Sequence, residues 1–258
     1  MSFRSAFLHY SSFLFVRKPF WGVLLLVVFG LLLRSVYLFN NPLLDRDSIN
    51  YCEIAESWHR TNRYDIPLQH GVGSTDAGYI LLLKKGLDFH VPVVLWGRAI
   101  DLLSTIAYFV AVYFIGLSFF KDHRAFLLLF IACIHPSTGQ LSFALLRDPL
   151  CYALYSICIL ALLNLFQNNS FVWTAVFSVF VVLAFFIRYE ALELFAIFLL
   201  LSVFALKHHN DKRFLILSVL ECFVIAIALM FIILFSVNLP LQKPFFDISS
   251  KLTSVLPI

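Results

Sequence analysis

Short stretches that are far apart in the sequence each combine a carboxylate with an arginine. They are "DRDS" (45–48), "LLRDP" (145–149) and "IRYE" (187–190). A carboxylate can take a proton from a hydroxyl in general base catalysis, and a guanidinium suits the oxygens of a phosphate. Whether these groups act together depends on whether the fold brings the stretches to one place.

Asp47 lies at the start of a segment, 47–60, whose apolar residues have helical spacing. We expect a helix that lies flat at the membrane surface, with the apolar stripe of Ile49, Cys52, Ala55 and Trp58 facing the bilayer. Asp47 and Tyr51 would share a face of it, because they are four residues apart. Asp47 or Ser48 could equally be the N-cap of this helix.

The triplet Asp45-Arg46-Asp47 has the D-x-D spacing of some metal sites. Two carboxylates one residue apart are common by chance, so this signal is weak. No metal site is predicted, and assistance by a divalent cation is left open.

Arg98 and Asp101 lie three residues apart inside the second apolar run, where a charge is costly unless it is paired or faces water. Two interpretations stand side by side. The residues form a mutual ion pair on one helix, or Arg98 points into an aqueous cavity and holds an anion.

Further charged residues stand at the ends of the later apolar runs. Asp148 follows Arg147 and precedes Pro149, a residue suited to the first helical turn, so Asp148 is predicted to be an N-cap. Arg188 and Glu190 point in different directions, and either could pair with another outer loop.

The composition indicates an all-α, polytopic membrane protein. The chain has 258 residues, of which 61% are hydrophobic and 13% are charged, whereas soluble domains carry roughly 25% charged residues. Its apolar runs of about twenty residues match the bilayer core and predict about seven spans. The predicted spans are 20–39, 91–119, 125–143, 149–166, 171–187, 189–206 and 214–237. A turn at the charges of "IRYEALE" divides 171–206 in this prediction, and one long tilted helix of about 54 Å is the alternative.

Loop charges predict the orientation. Arg and Lys before the first span, and in the 121–125 and 207–213 loops, place the N-terminus and these loops in the cytoplasm. Residues 1–19 are then cytoplasmic, 20–239 form the transmembrane core with an outer loop at 40–90, and 240–258 form an outer tail. The net charge of +4 follows from the same bias, so we expect no nucleic-acid partner. The five cysteines are interpreted as small core residues.

The order of these motifs resembles the polyprenyl-phosphate-sugar-dependent glycosyltransferases of the GT-C type, especially the protein O-mannosyltransferase and aminoarabinose transferase group. "DSINY" (47–51) is similar to the family's Asp-Glu-x-x-Tyr signature, with Ser48 in place of Glu. "WGRAIDLLS" resembles its second-span pattern at Arg98. "CIHPSTGQLSFALLRDPL" resembles its Pro and Asp-Pro-Leu stretch. Members usually have more spans, so the chain would be a minimal member, a truncated one or an inactive relative.

The resemblance implies a GT-C transmembrane core and transfer of a sugar from a lipid-linked phosphate to an acceptor hydroxyl at the outer leaflet, with inversion. The partners implied are the lipid-linked donor, a protein, lipid or glycan acceptor, and membrane lipids, with no organic cofactor. The small size favours a bacterial inner membrane. The site residues implied are Asp47 as base, Arg98, Arg147 and Arg188 at the phosphate, and Tyr51, Asp148, Glu190 and Asp45 around it. The alternatives are a transporter or flippase and a non-catalytic scaffold.

Overall fold

The computed structural model describes residues 19–40, 46–62, 77–120, 124–135, 145–208 and 212–237. Within these ranges every regular element is helical. The helices are α1 (Pro19–Asn40), α2 (Arg46–Thr61), α3 (Ala77–Asp88), α4 (Val93–Phe119), α5 (Arg124–Ile134), α6 (Asp148–Asn168), α7 (Phe171–Ile187), α8 (Leu192–His208) and α9 (Lys212–Val237), with a 3-10 turn at Tyr189–Ala191. Asp45, residues 1–18 and the tail 240–258 lie outside the described residues.

Three of the described helices are long and apolar enough to cross a membrane. They are α4, α6 and the Arg213–Ile233 part of α9. Shorter apolar helices occur at Trp21–Val36, Arg124–Ile134 and Phe171–Ile187. This is the composition of a helical membrane protein. The larger number of about seven spans stays a prediction.

Helices α1, α4 and α5 form one packed group. The contacts at successive levels are Gly22 with Phe126, Tyr113 with Phe126, and Gly30 with both Cys133 and Phe109. Helices α1 and α5 therefore run in one direction and α4 runs in the other.

Helices α6 and α7 form an antiparallel pair joined by Asn169 and Ser170. Asn169 adopts a left-handed conformation (φ 48°), and its N–H is bonded to the carbonyl of Leu165, which ends α6 and reverses the chain. Tyr108 of α4 contacts Tyr152 of α6, and α9 packs beside α7. The beginnings of α4 and α6 and the end of α7 therefore meet at one end of the bundle, which we call the charged end.

Helices α2 and α3 cover the charged end. The buried face of α2, formed by Tyr51, Ile54, Ala55 and Trp58, packs against Tyr79, Ile80 and Leu83 of α3. This differs from the predicted stripe, since Ile49 is 45% exposed while Asn50 is buried. The predicted stripe agrees with the buried face at Cys52, Ala55 and Trp58 and departs from it at Ile49, because packing against α3 determines which face of α2 is buried.

The helical region 171–206 is interrupted. Arg188 is extended (φ −156°, ψ 120°), and the 3-10 turn separates α7 from α8. The predicted turn is confirmed, and the alternative of a single long helix is wrong. In the predicted span 125–143 the described helix ends at Ile134, and residues 136–144 lie outside the described part.

Candidate functional site

Arg188 joins the end of α7 to the start of α6. Its Nη1 donates a hydrogen bond to Asp148 Oδ1 at 2.7 Å, and its Nε lies 3.3 Å from Glu190 Oε2. Partial burial lowers the pKa of Arg188, but the charges of Glu190 and Asp148 outweigh it and raise the pKa above its ordinary value. The guanidinium is therefore held as a cation between two carboxylates.

Asp148 is the first residue of α6 and not its N-cap, which corrects the prediction. The cap residue is Arg147, in a helical conformation and without a side-chain cap bond, and Pro149 is the second helical residue. The Asp148 carboxylate is therefore bonded to Arg188 and not to its own backbone. A carboxylate in the first turn also interacts favourably with the helix dipole.

Tyr51 of α2 lies close to charged groups from all three stretches. Burial raises the pKa of its hydroxyl, the charges of Asp47 and Asp148 raise it further, and those of Arg147 and Arg188 oppose the rise. The side chain is only 4% exposed. The charges of four residues that the sequence singled out therefore act on the Tyr51 hydroxyl.

Asp47 is exposed at the edge of this cluster. Because α2 begins at Arg46, Asp47 lies in the first turn and does not cap the helix, contrary to one sequence interpretation. Ser48, which replaces the Glu of the family signature, is fully buried. Of these two neighbours, only Asp47 presents a side chain that an incoming molecule can reach.

Two fully buried polar residues, Tyr79 of α3 and Asp101 of α4, extend the cluster inward from Tyr51. The rings of Tyr51 and Tyr79 meet edge to face, with centroids 5.5 Å apart. Asp101 Oδ2 accepts a hydrogen bond of 3.1 Å from the N–H of Leu145. Burial, followed by the nearby Asp101 carboxylate, raises the pKa of Tyr79 well above its ordinary value.

Arg98 lies one turn before Asp101 and is half-buried. No ion pair joins Arg98 to Asp101 in the described part of the chain, so the interpretation as a mutual pair is wrong; Asp101 instead holds a backbone N–H. The Nε of Arg98 is buried and has no hydrogen-bond partner among the described residues. Arg98 shares the charged end of the bundle, but no hydrogen bond or ion pair links it to Asp148 or Arg188.

Tyr79 was not identified from the sequence. It stands in "AGYILLL", where the pattern indicates only a short interfacial or re-entrant helix. The tyrosine among aliphatic residues was the available signal, since a buried phenol needs a polar neighbour. Among the residues that the structure describes, no group of three or more His, Cys, Asp or Glu could hold a metal ion.

Comparison of the chain with family models, curated proteins and solved structures gives no match. The resemblance to GT-C enzymes therefore rests on the quoted motifs, and the site is interpreted from its own geometry.

Proposed function

We propose that the chain is a membrane glycosyltransferase that moves a sugar from a polyprenyl phosphate to an acceptor hydroxyl with inversion. The reaction would take place at the outer leaflet, within a GT-C-like core of about seven spans whose N-terminus is cytoplasmic. The proposal joins the motif resemblance to the side-chain arrangement at the charged end of the bundle.

The observation that carries the proposal is the ion pair between Arg188, after α7, and Asp148, at the start of α6, whose Nη1 and Oδ1 lie 2.7 Å apart. The charges of Asp47 and Arg147 act with this pair on the buried Tyr51 hydroxyl. A carboxylate and arginines from stretches far apart in sequence thus lie close together. Sugar transfer from a phosphate needs this combination of a base and cations.

Asp47 is the proposed base. Its side chain is exposed, and no ion pair neutralises it within the described residues. In the proposed step Asp47 takes the proton of the acceptor hydroxyl, and the acceptor oxygen forms a bond to the anomeric carbon. The bond from that carbon to the phosphate oxygen breaks, and its electron pair leaves with the phosphate.

Arg98 is the proposed phosphate-binding residue. Its Nε is buried and unpartnered in the described part of the chain, so an anion would satisfy it. Arg188, in contrast, already faces two carboxylates. We therefore assign Arg188 to the shape and charge balance of the site, with Arg147, Asp148, Tyr51 and Glu190 around it.

A transporter would require charged groups along a path through the bilayer centre. Arg34 of α1 is one feature that would favour this class, since it is 2% exposed. Its guanidinium stands 4.3 Å from the ring centroid of Phe109, a cation–π contact, while its Nε and Nη2 are buried without a hydrogen-bond partner among the described residues. The clustering at one end of the bundle favours the transferase.

The proposal is tested with the purified protein in lipid nanodiscs. Labelled polyprenyl-phosphate sugars and a lipid extract are added, and labelled products are separated from the donor. Formation of a glycosylated product that depends on Asp47 supports the proposal. Absence of product with every donor sugar, from a protein shown to be folded, would refute it.

A further inference from the structure

We infer that Asp101 is a positioning residue, which fixes the turn leading into α6 and thereby directs Asp148 towards Arg188. Asp101 is fully buried, and it touches neither the exposed Asp47 nor the Arg188 pair. Its influence on the site would pass through the backbone of residues 145–148.

The turn in question has an unfavourable backbone conformation. Leu145 has a positive φ of 55°, in the left-handed region that side chains with a Cβ rarely adopt. Such a conformation persists only where the surroundings hold it. The buried carboxylate of Asp101 supplies one restraint, because its Oδ2 accepts the N–H of Leu145 at 3.1 Å.

Gly97 supplies a second restraint on the same residue. A Cβ at Gly97 would overlap Cδ2 of Leu145, so the leucine side chain occupies the space that this glycine leaves open. Gly97 and Asp101 are one turn apart on α4 and lie on the same face. Together they hold the side chain and the N–H of Leu145.

The restraint is passed on to the start of α6. Leu145 stands three residues before Asp148, and α6 begins at that aspartate, with the Cys151 N–H bonded to the carbonyl of Arg147 at 3.0 Å. A fixed turn therefore determines where the first turn of α6 projects its carboxylate. On the opposite side, Tyr79 lies near Asp101, and its ring meets the ring of Tyr51 edge to face.

The effect of Asp101 on the turn is measurable without any catalytic assay. Residue-resolved hydrogen–deuterium exchange at Leu145 is compared in nanodiscs for the wild type, Asp101→Asn, Asp101→Leu and the control Thr105→Val. Thr105 is buried one turn further along α4 with an unpartnered hydroxyl. Asp101→Leu, which cannot accept a hydrogen bond, should speed exchange about tenfold, the effect of one ordinary hydrogen bond. Asp101→Asn and Thr105→Val should leave it unchanged.

Unchanged exchange in Asp101→Leu, or equal acceleration in Asp101→Asn, would overturn the inference. If Asp101→Leu does not fold, Gly97→Ala tests the second restraint on Leu145, which is the space left for its side chain. Exchange at Leu145 as slow as in the wild type would then contradict the inference. Amides in the middle of α6 should exchange at the wild-type rate in every variant.

The catalytic part of the inference rests on the proposed function. The kcat of Asp101→Leu should be about tenfold or more below that of the wild type, whereas the kcat of Asp101→Asn should stay near the wild-type value. Both variants lose the negative charge, so a difference between them reports the loss of the hydrogen-bond acceptor. If the exchange results are as expected but the wild type transfers no sugar, then the proposed function fails and the role of Asp101 in the turn stands. Equal kcat in Asp101→Leu and wild type would refute the catalytic part.

Discussion

Arg188 Nη1 lies 2.7 Å from Asp148 Oδ1, although the two residues are 40 positions apart in the sequence. The contact exists because α6 and α7 are antiparallel and tightly connected, so that the end of one meets the start of the other. The pair lies at the charged end of the bundle, near Tyr51 and Asp47 of α2.

Asp47→Asn should abolish sugar transfer while leaving membrane insertion and folding intact. The amide keeps the size of the side chain but cannot take the acceptor proton. Product formation from a labelled donor is the measurement. Glu53→Gln is the matched control, since Glu53 is another exposed carboxylate of α2. Transfer by Asp47→Asn at the wild-type rate would remove Asp47 as the base.

Arg98→Gln should weaken donor binding and raise KM for the polyprenyl-phosphate sugar by about tenfold or more, as expected for one charged hydrogen bond. The dependence of the initial rate on donor concentration measures it. Arg124→Gln is the control, because Arg124 is exposed at the start of α5, at the opposite end of the bundle. An identical KM in Arg98→Gln and Arg124→Gln would exclude the phosphate role.

Asp148→Ala should destabilise the fold by about 1–2 kcal/mol, because it leaves the partly buried Arg188 with one carboxylate instead of two. A double-mutant cycle with Arg188→Ala isolates the energy of the pair. Thermal unfolding in detergent is the measurement. Additive effects of the two substitutions would mean that the observed bond contributes nothing to stability.

Gly78→Val should loosen α3 from the end of α7. A Cβ at Gly78 would overlap the backbone carbonyl of Phe186, and backbone cannot move aside as a flexible side chain can. We expect a loss of about 1–3 kcal/mol, typical of overpacking, measured by thermal unfolding. Ser57→Val on the exposed face of α2 should have no such effect. A stability equal to wild type would contradict the close packing of α3 and α7.

Asp88 should contribute a pH-dependent part of the stability of the α2–α3 pair. Burial opposes the shift, but bonds from His59 at 2.9 Å and Lys84 at 3.2 Å lower the pKa of Asp88. A carboxyl whose pKa is lower in the folded state stabilises the fold above its unfolded pKa of about 4 and loses this effect as the pH falls through the folded value.

Asp88→Asn should therefore remove up to about 1 kcal/mol at pH 7, a magnitude reduced by the partial exposure of the group. The difference from wild type should vanish at a pH below both pKa values. Unfolding temperatures of the two proteins across pH 2–7 test this. A difference that persists unchanged at the acid end would show that the ionised form of Asp88 is not responsible.

Much of the architecture could be predicted from local patterns in the chain. Apolar runs, helical spacing and the charges near residue 188 predict helices, a membrane environment and the break between α7 and α8, because burial and span length are properties of consecutive residues. The buried state of all five cysteines followed in the same way and is confirmed.

The partners of the charged groups could not be predicted, because they depend on how helices pack. Arg98 and Asp101 have the spacing of a pair, yet Asp101 binds a backbone N–H 44 residues away. Helix α6 begins one residue earlier than predicted, so Asp148 is not the N-cap and its carboxylate pairs with Arg188. Spacing along a helix determines which side chains share a face, whereas the tertiary structure decides what that face meets.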